Sequence, residues 1–321
     1  MSHVPLTFSL PFSLIFVAVV TLGQARAADD LTLGYTNLNG AKVPVPLGLD
    51  EGIFAKHNIR LRIIPVSPGT QGVPKLLAGE IDVFLGNSEP VVRAIATERQ
   101  RLAVVASLGA DQFFLYSHPS IRRIEELRGK RIGSSSAGAS ADRNTKMALK
   151  KLGLDPERDV LIVYTGHQNS FDRLRVLAQG EVDATVGGAE ALLELGQAAD
   201  KVHRLLDLSD IGIYVSGADV SVKRDSLERQ RDIMQRFIRA LEEGYRLAKS
   251  RPDLVRRTYQ KYLKPESSAA LDWMVKEYGD AKTSGQPLPD RRAIESHVAE
   301  MMLKQPNVPK DPTVYIDESL F

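Results

Sequence analysis

The sequence predicts an α/β protein of two similar lobes, each a mostly parallel β-sheet flanked by helices. Three observations support this fold class. One segment of the chain recurs at an offset of about 100 residues, with strand and helix signals in the same order. The region after residue 217 changes to amphipathic helical patterns. The chain has 321 residues, and beyond about 250–300 residues a chain usually divides into domains.

The N-terminal segment predicts a secretory signal peptide. Leu10 to Leu22 is an apolar run of 13 residues without charge, followed by the A-x-A pattern Ala25-Arg26-Ala27. A membrane-spanning helix needs roughly 20 apolar residues, so a retained anchor is the weaker alternative. We therefore expect residues 1–27 to be removed after Ala27 and the mature chain to be periplasmic. The n-region has no Lys or Arg, which leaves the efficiency of cleavage open.

The composition excludes several classes of function. The chain has no Cys, which excludes disulfides, thiolate nucleophiles and Cys-bound zinc. Its 42 Lys and Arg nearly balance 40 Asp and Glu, so no charge excess would recruit nucleic acid. The G-x-S-x-G, H-E-x-x-H and P-loop patterns do not occur. We expect no enzyme, no cofactor and no metal.

The repeat aligns LLAGEIDVFLGNSE at residues 76–89 with LAQGEVDATVGGAE at residues 177–190. Without a gap it pairs Gly79 with Gly180, Asp82 with Asp183, and Glu89 with Glu190. In each copy a helix ends at a glycine, which accepts the left-handed C-cap conformation without penalty. A short apolar strand follows, as in a parallel sheet. Each half is therefore predicted to be a right-handed βαβαβ unit.

The predicted elements follow in order along the chain. In the first lobe, strands are expected near residues 31–35, 60–66, 81–85 and 102–108, and helices near 45–57, 70–78 and 89–98. In the second lobe, strands are expected near 130–134, 160–164, 182–186 and 203–208, and helices near 139–152, 169–179 and 189–199. A long helix near 226–249 opens a helical tail, with further helices after Pro252 and near 267–279 and 289–302.

The tail needs an apolar surface, and we expect it to pack on the first lobe. The first lobe would then comprise residues 28–116 and 218–321, and the second lobe residues 117–217. Two crossovers near residues 116–120 and 214–219 would join the lobes. The predicted hinge residues are Ser117, His118, Ser216 and Gly217.

Several segments together resemble a known family. They are LTLGYTNLNG at 31–40, LDEGIFAKHNIRLRI at 49–63, LLAGEIDVFLGN at 76–87, IEELRGKRIGSSSAGASAD at 124–142, ALKKLGLDPERDV at 148–160 and LAQGEVDATV at 177–186. In this order they resemble the nitrate/sulfonate/taurine-type substrate-binding proteins of ABC transporters, in the NMT1/THI5-like family. The resemblance implies a type II periplasmic-binding-protein fold with two crossover strands. It also implies a monomer that closes over one small-molecule solute and delivers it to a membrane permease.

Ligands of open parallel sheets bind beyond the carboxyl ends of the strands. This rule selects candidate ligand-binding residues on both lobes: Asn37, Asn39, Thr70, Asn87, Ser88, Glu89, Ser135, Ser136, Ala137, Gly138, Gln168 and Glu190. Residues 133–140, GSSSAGAS, open a helix and predict an anion seat, or else an ordinary N-cap. The family's ligand position favours the anion seat. Any single Asn or Ser in the set has an alternative as a turn residue.

Glu89 and Glu190 have two interpretations: they accept a ligand ammonium across the cleft, or they complement the dipoles of their own helices. The expected ligand is a small organic anion or zwitterion, sulfonate-, taurine- or nitrate-like. The alternatives are a protein similar to the thiamine-pyrimidine precursor binders or synthases, or a sensory receptor with this fold. Of six histidines only His167 is expected near the cleft, and Trp273 is expected in the core.

Overall fold

The structure, a computed structural model, describes residues 27–36, 38, 40–67, 69–111, 113–265, 268–280, 286–302 and 305–321. The predicted signal sequence up to residue 26 lies outside the described residues, and so do Asn37 and Asn39. None of the helices in the described part is long and apolar enough to cross a membrane.

The described strands are β1 Asp29–Tyr35, β2 Ile59–Pro65, β3 Val83–Gly86, β4 Leu102–Ser107, β5 Ala110–Asp111, β6 Phe113–Ser117, β7 Arg131–Ser134, β8 Leu161–Tyr164, β9 Ala184–Gly188, β10 His203–Asp207, β11 Val215–Ser216 and β12 Asp219–Lys223. The helices are α1 Pro44–Asp50, α2 Ile53–Lys56, α3 Gly72–Ala78, α4 Glu89–Glu98, α5 Ser140–Lys151, α6 Ser170–Ala178, α7 Ala189–Glu194, α8 Arg224–Arg229, α9 Arg231–Ser250, α10 Pro252–Tyr262, α11 Ser268–Asp280 and α12 Arg291–Met302.

Two five-stranded sheets share one strand order. The first sheet runs β2-β1-β3-β12-β4, and the second runs β8-β7-β9-β6-β10. In each sheet the first three strands of the lobe are parallel, and a strand from beyond the repeat inserts antiparallel beside the third. The predicted two-lobed α/β class is confirmed. The inserted strands β6 and β12 were not predicted, although both are largely buried.

The two aspartates of the repeat perform the same structural role. In the first lobe the Asp82 backbone N–H donates to the Thr32 carbonyl, and Asp82 Oδ2 accepts the Thr32 backbone N–H, each at 2.8 Å. In the second lobe Asp183 makes the same two bonds to Arg131, again at 2.8 Å. Each aspartate thus joins the start of its lobe's third strand to the first strand. This correspondence explains why the Glu-apolar-Asp step occurs in both halves.

The first predicted crossover lies too late in the chain. The sheets are joined by a two-stranded ribbon in which β5 pairs with β11. Strand β6 already belongs to the second sheet, where Ser117 pairs with His203 and Ala184. The buried Ser117 hydroxyl also donates to the Ile121 carbonyl at 2.9 Å. Ser117 and His118 therefore belong to the second lobe and not to a crossover, whereas Ser216 lies in the ribbon and Gly217 follows it.

The helical tail packs on the first sheet, as predicted, and it covers both faces of that sheet. Helix α9 buries Met234, Phe237 and Leu241 against one face, and α12 packs against α4 on the other. Helix α11 departs from the prediction because it contacts α7 of the second lobe. Trp273 on α11 is partly buried between core clusters of both lobes. The tail therefore connects the lobes as well as covering one of them.

Candidate functional site

A cavity of about 670 Å³ lies between the two sheets. Its wall is formed by the segments that follow the carboxyl ends of the parallel strands. The first lobe contributes the segments after β1, β2 and β3, and the second lobe contributes those after β7, β8 and β9. Gly217, beside the ribbon, also lines the cavity. This is the position that the strand-end rule predicts, and the volume suits a small organic ligand.

The structure brings five of the predicted ligand residues to this wall: Thr70, Asn87, Ser135, Gln168 and Glu190. Ser88, Glu89, Ser136, Ala137 and Gly138 lie behind the wall or outside it. Asn37 and Asn39 fall outside the described residues. These five predicted residues therefore share one wall, and the contacts below explain which side chains face inward.

The start of α5 forms the most distinctive part of the wall. Ser140 and Ala141 line the cavity at the first turn of the helix, where backbone N–H groups have no partner within the helix. The N-cap residue Ala139 supplies no side-chain cap. The Ser135 hydroxyl is fully buried on the same wall and has no hydrogen-bond partner among the described residues. Together these donors have the chemistry to hold an anionic group, and we call them the anion seat.

Gly138 supports this seat from behind. Its backbone N–H donates to Asp142 Oδ2 at 2.9 Å, and its carbonyl accepts from Arg143 Nη1. Both polar groups are therefore already paired, so Gly138 has no donor for a ligand. Its φ of 72° requires the left-handed conformation, which glycine adopts without strain. Gly138 was predicted to bind the ligand, but it shapes the segment and does not line the cavity.

Ser136 acts through its neighbour. Gln168 Nε2 donates to Ser136 Oγ at 2.9 Å, and Gln168 itself lines the cavity. The two strand-end segments of the second lobe are thus tied together. Ser136 orients a wall residue, which is a different role from the predicted direct contact.

Two buried cations at the wall were missed by sequence reasoning. Arg173 is 2 % exposed and donates to the carbonyls of His167, Gln168 and Asn169, as well as to Val186. Burial lowers its pKa to about 10, so the guanidinium remains protonated at neutral pH. It fixes the segment after β8 and adds positive charge there. An Arg in an amphipathic helix ordinarily indicates a solvent-facing position, so sequence reasoning did not select Arg173.

Lys42 is the second buried cation. It lines the cavity from the first lobe, and its Nζ donates to Thr36 Oγ1 at 2.9 Å. Its side chain is almost fully buried, which is unusual for lysine. The first-lobe wall therefore also carries positive charge, close to the residues that follow β1.

Glu190 adds an acidic side chain to the cavity wall, in contrast to the two cations. It lines the cavity from the first turn of α7, together with Glu194 one turn later. Burial raises the pKa of Glu190, the negative charge of Glu194 raises it further, and Lys42 partly opposes this. The carboxylate also accepts from its own backbone N–H. Glu190 thus lines the cavity and lies in the first turn of its helix, and both predicted interpretations stay predictions.

Glu89 behaves differently from its repeat partner. It is 2 % exposed and does not line the cavity. Its carboxylate pairs with Arg93 on its own helix and with Arg143 on α5 of the other lobe. Two guanidinium groups already neutralise its charge, so the predicted contact with a ligand ammonium is not supported.

The family assignment follows from a match over most of the chain. A family model described as NMT1/THI5 like matches residues 42–255. The chain belongs to the NMT1/THI5-like family. No curated protein sequence matches it.

Solved structures with the same fold include several proteins to which this NMT1/THI5-like protein is similar at low identity. A protein of Bordetella bronchiseptica RB50 has a TM-score of 0.72 and 14 % identity, covering 91 % of this chain and 95 % of that chain. The periplasmic aliphatic sulphonate-binding protein SsuA from Escherichia coli has a TM-score of 0.66 and 17 % identity, covering 91 % and 96 %. The desulfurization enzyme DSZB has a TM-score of 0.60 and 17 % identity, covering 91 % and 97 %. The fold is that of the periplasmic binding proteins.

The histidines of this NMT1/THI5-like protein do not form a reactive site in the described residues. His167 does not line the cavity, and its carbonyl accepts from Arg173. His297 is buried on α12, and both of its ring nitrogens lack a partner among the described residues. No cluster of three or more metal-binding side chains occurs in the described part of the chain.

Proposed function

We propose that this protein is the periplasmic solute-binding component of an ABC importer and binds an organic anion in the cavity between its lobes. The carrying observation is the anion seat, where the open first turn of α5 meets the unpartnered hydroxyl of Ser135. The buried cations Lys42 and Arg173 add favourable electrostatic potential to the same cavity. Two comparisons support a solute-binding protein: membership of the NMT1/THI5-like family, and the shared fold with the sulphonate-binding protein SsuA.

The ligand class is narrowed by Glu190. A buried carboxyl on the wall opposes a wholly anionic guest, and it accepts a hydrogen bond from an ammonium or amide group. The cavity of about 670 Å³ is also far larger than an inorganic anion such as nitrate requires. We therefore propose a zwitterionic or donor-bearing organic sulfonate, or a related acid, with its anionic end on α5. A membrane permease is the proposed recipient, and the protein is proposed to act as a monomer.

A catalytic role has less support. The chain has no Cys, and no His lines the described cavity, so the usual thiol and imidazole groups for nucleophilic or general-base catalysis are missing there. DSZB shares the fold, but fold alone does not transfer an activity.

The proposal is tested by ligand binding to the purified mature protein. Isothermal titration calorimetry against taurine, ethanesulfonate, longer alkanesulfonates and nitrate should give saturable binding for at least one organic sulfonate. Ser135→Ala should weaken that binding about 10- to 100-fold, because a hydrogen bond to a charged group contributes roughly 1.5–3 kcal/mol.

Ser134→Ala is the matched control. Its hydroxyl is also buried and unpartnered among the described residues, but Ser134 does not line the cavity. It should leave the dissociation constant nearly unchanged. If both variants lose affinity equally, Ser135 does not contact the ligand and the anion seat is wrong. If no sulfonate binds at all, the proposed ligand class is rejected.

A further inference from the structure

A buried group of charges lies beside the cavity, where the first turn of α4 in the first lobe meets α5 in the second. Glu89 Oε2 forms an ion pair with Arg143 Nη2, and Glu89 Oε1 accepts from Arg93 Nη2. The Glu89 carboxylate is almost fully buried, and the Arg143 side chain is only 16 % exposed. The Glu89 to Arg143 contact is an ion pair that joins one lobe to the other.

Arg143 contacts the anion seat as well as the opposite lobe. Its Nη1 donates to the carbonyl of Gly138, within the segment that leads into α5. The neighbouring Asp142 holds the N–H of the same glycine at 2.9 Å. One guanidinium therefore links the segment that carries Ser135 to Glu89 across the gap.

The surroundings keep this pair out of water. His297 on α12 is buried nearby, and its pKa is lowered to about 3 by burial and by the positive charges of Arg143 and Arg93. The imidazole is therefore neutral and adds no charge to the group. Burial also lowers the pKa of Arg143, while Glu89 opposes that change. Glu89 is the largest of three carboxylates, with Glu300 and Asp142, that compensate the charge of Arg143.

The energetics of such a pair suit a reversible contact between lobes. Forming a buried ion pair from two hydrated charges has a net free energy near zero, because the desolvation cost offsets the attraction. Removing one partner is strongly unfavourable, because the other charge remains buried alone. Separated lobes would return both side chains to water, so the pair holds the lobes together weakly. A ligand can then shift the equilibrium with its own contacts.

We propose that the Glu89–Arg143 ion pair is the latch of the two lobes, with Arg143 as a positioning residue that couples the anion seat to closure. This inference goes beyond solute binding, and it does not depend on the identity of the ligand. It predicts that the lobes open when the pair is broken, even without any solute.

The absence of Cys makes the test direct, because two introduced cysteines give unique spin labels. Glu98→Cys at the end of α4 and Lys150→Cys near the end of α5 replace exposed residues, one in each lobe. Double electron–electron resonance on the ligand-free protein should show one dominant distance. Glu89→Gln and Arg143→Gln should each shift most of the population to longer distances.

Three further variants separate a latch from a general loss of stability. Arg93→Gln removes the partner of Glu89 within its own lobe, so it should lower the melting temperature and leave the distance distribution unchanged. Arg143→Lys keeps the charge and should restore part of the short-distance population. Glu89→Gln with Arg143→Gln leaves no buried charge unpaired, so it should fold even if a single variant does not.

The proposal is overturned if the single glutamine variants keep the native distance distribution, if the double variant is as open as the single variants, or if Arg93→Gln opens the lobes as far as Arg143→Gln does. The measurement uses no ligand. The distance measurement therefore tests the latch even if no sulfonate binds. If the latch proposal is wrong, calorimetry still tests the anion seat independently.

Discussion

Replacing Arg173 with Met should cost the protein about 3 kcal/mol of unfolding free energy. The guanidinium donates to four backbone carbonyls and to the Ser170 hydroxyl from a nearly fully buried position on α6. Hydrogen bonds to charged groups contribute roughly 1.5–3 kcal/mol each. The sum is reduced because burial of the guanidinium has a desolvation cost, visible in its lowered pKa, and because the exposed carbonyls can return to water. The buried carbonyl of Val186 cannot return to water, so the loss of its hydrogen bond carries the largest cost.

Thermal and urea unfolding followed by circular dichroism measure this loss. At about 2 °C per kcal/mol for a chain of this size, the melting temperature should fall by about 6 °C. Arg175→Met, two residues further along α6, is the matched control, because Arg175 is half exposed and pairs on its own helix with Asp172 and the Phe171 ring. An exposed ion pair contributes roughly 0–1 kcal/mol. If Arg173→Met costs no more than Arg175→Met, the buried guanidinium does not hold the segment after β8.

Two other predictions concern the cavity wall. Glu190→Gln should raise the melting temperature at pH 8 relative to the native protein. The pKa of Glu190 is raised in the folded protein, so its contribution to stability is greatest below the pKa of the unfolded chain. That contribution is lost as the pH rises through the folded pKa, and glutamine avoids the loss. The difference should vanish near pH 4 in the same thermal scans, and a gain that persists at pH 4 would contradict burial as the cause. Asn87→Asp should keep the melting temperature, since Asn87 Oδ1 accepts from the Glu89 backbone N–H at 2.8 Å and a carboxylate can do the same. It should nevertheless abolish binding of an organic anion in calorimetry, because a donor becomes a negative acceptor, whereas undiminished affinity would show that Asn87 does not face the ligand.

The repeat carried most of the fold prediction because its residues perform local backbone roles. Gly79 and Gly180 take positive φ values after α3 and α6, and Asp82 and Asp183 bind the neighbouring strand. Such requirements leave the same residue types in both halves, and a single sequence reveals them. Strands β6 and β12 carry no counterpart in the repeat. Their apolar segments were therefore assigned to the connections between lobes.

The candidate site was predictable only at the level of segments. The strand-end rule located the wall, but it could not decide which side chain points inward. Lys42 and Arg173 escaped notice because charged residues are ordinarily exposed, so their types suggest the surface. The contact between Glu89 and Arg143 joins residues far apart in sequence and depends on how the lobes meet. No periodicity or motif encodes that arrangement.

The inserted strands also determine when each half of the molecule can be completed. All five strands of the second sheet come from one continuous stretch, residues 113–207, whereas the first sheet waits for β12 at Asp219–Lys223. Until that segment has left the ribosome or the export channel, the facing edges of β3 and β4 have no partner. Open edges invite pairing with foreign strands. The N-terminal half is thus the part of a nascent chain most in need of protection from aggregation.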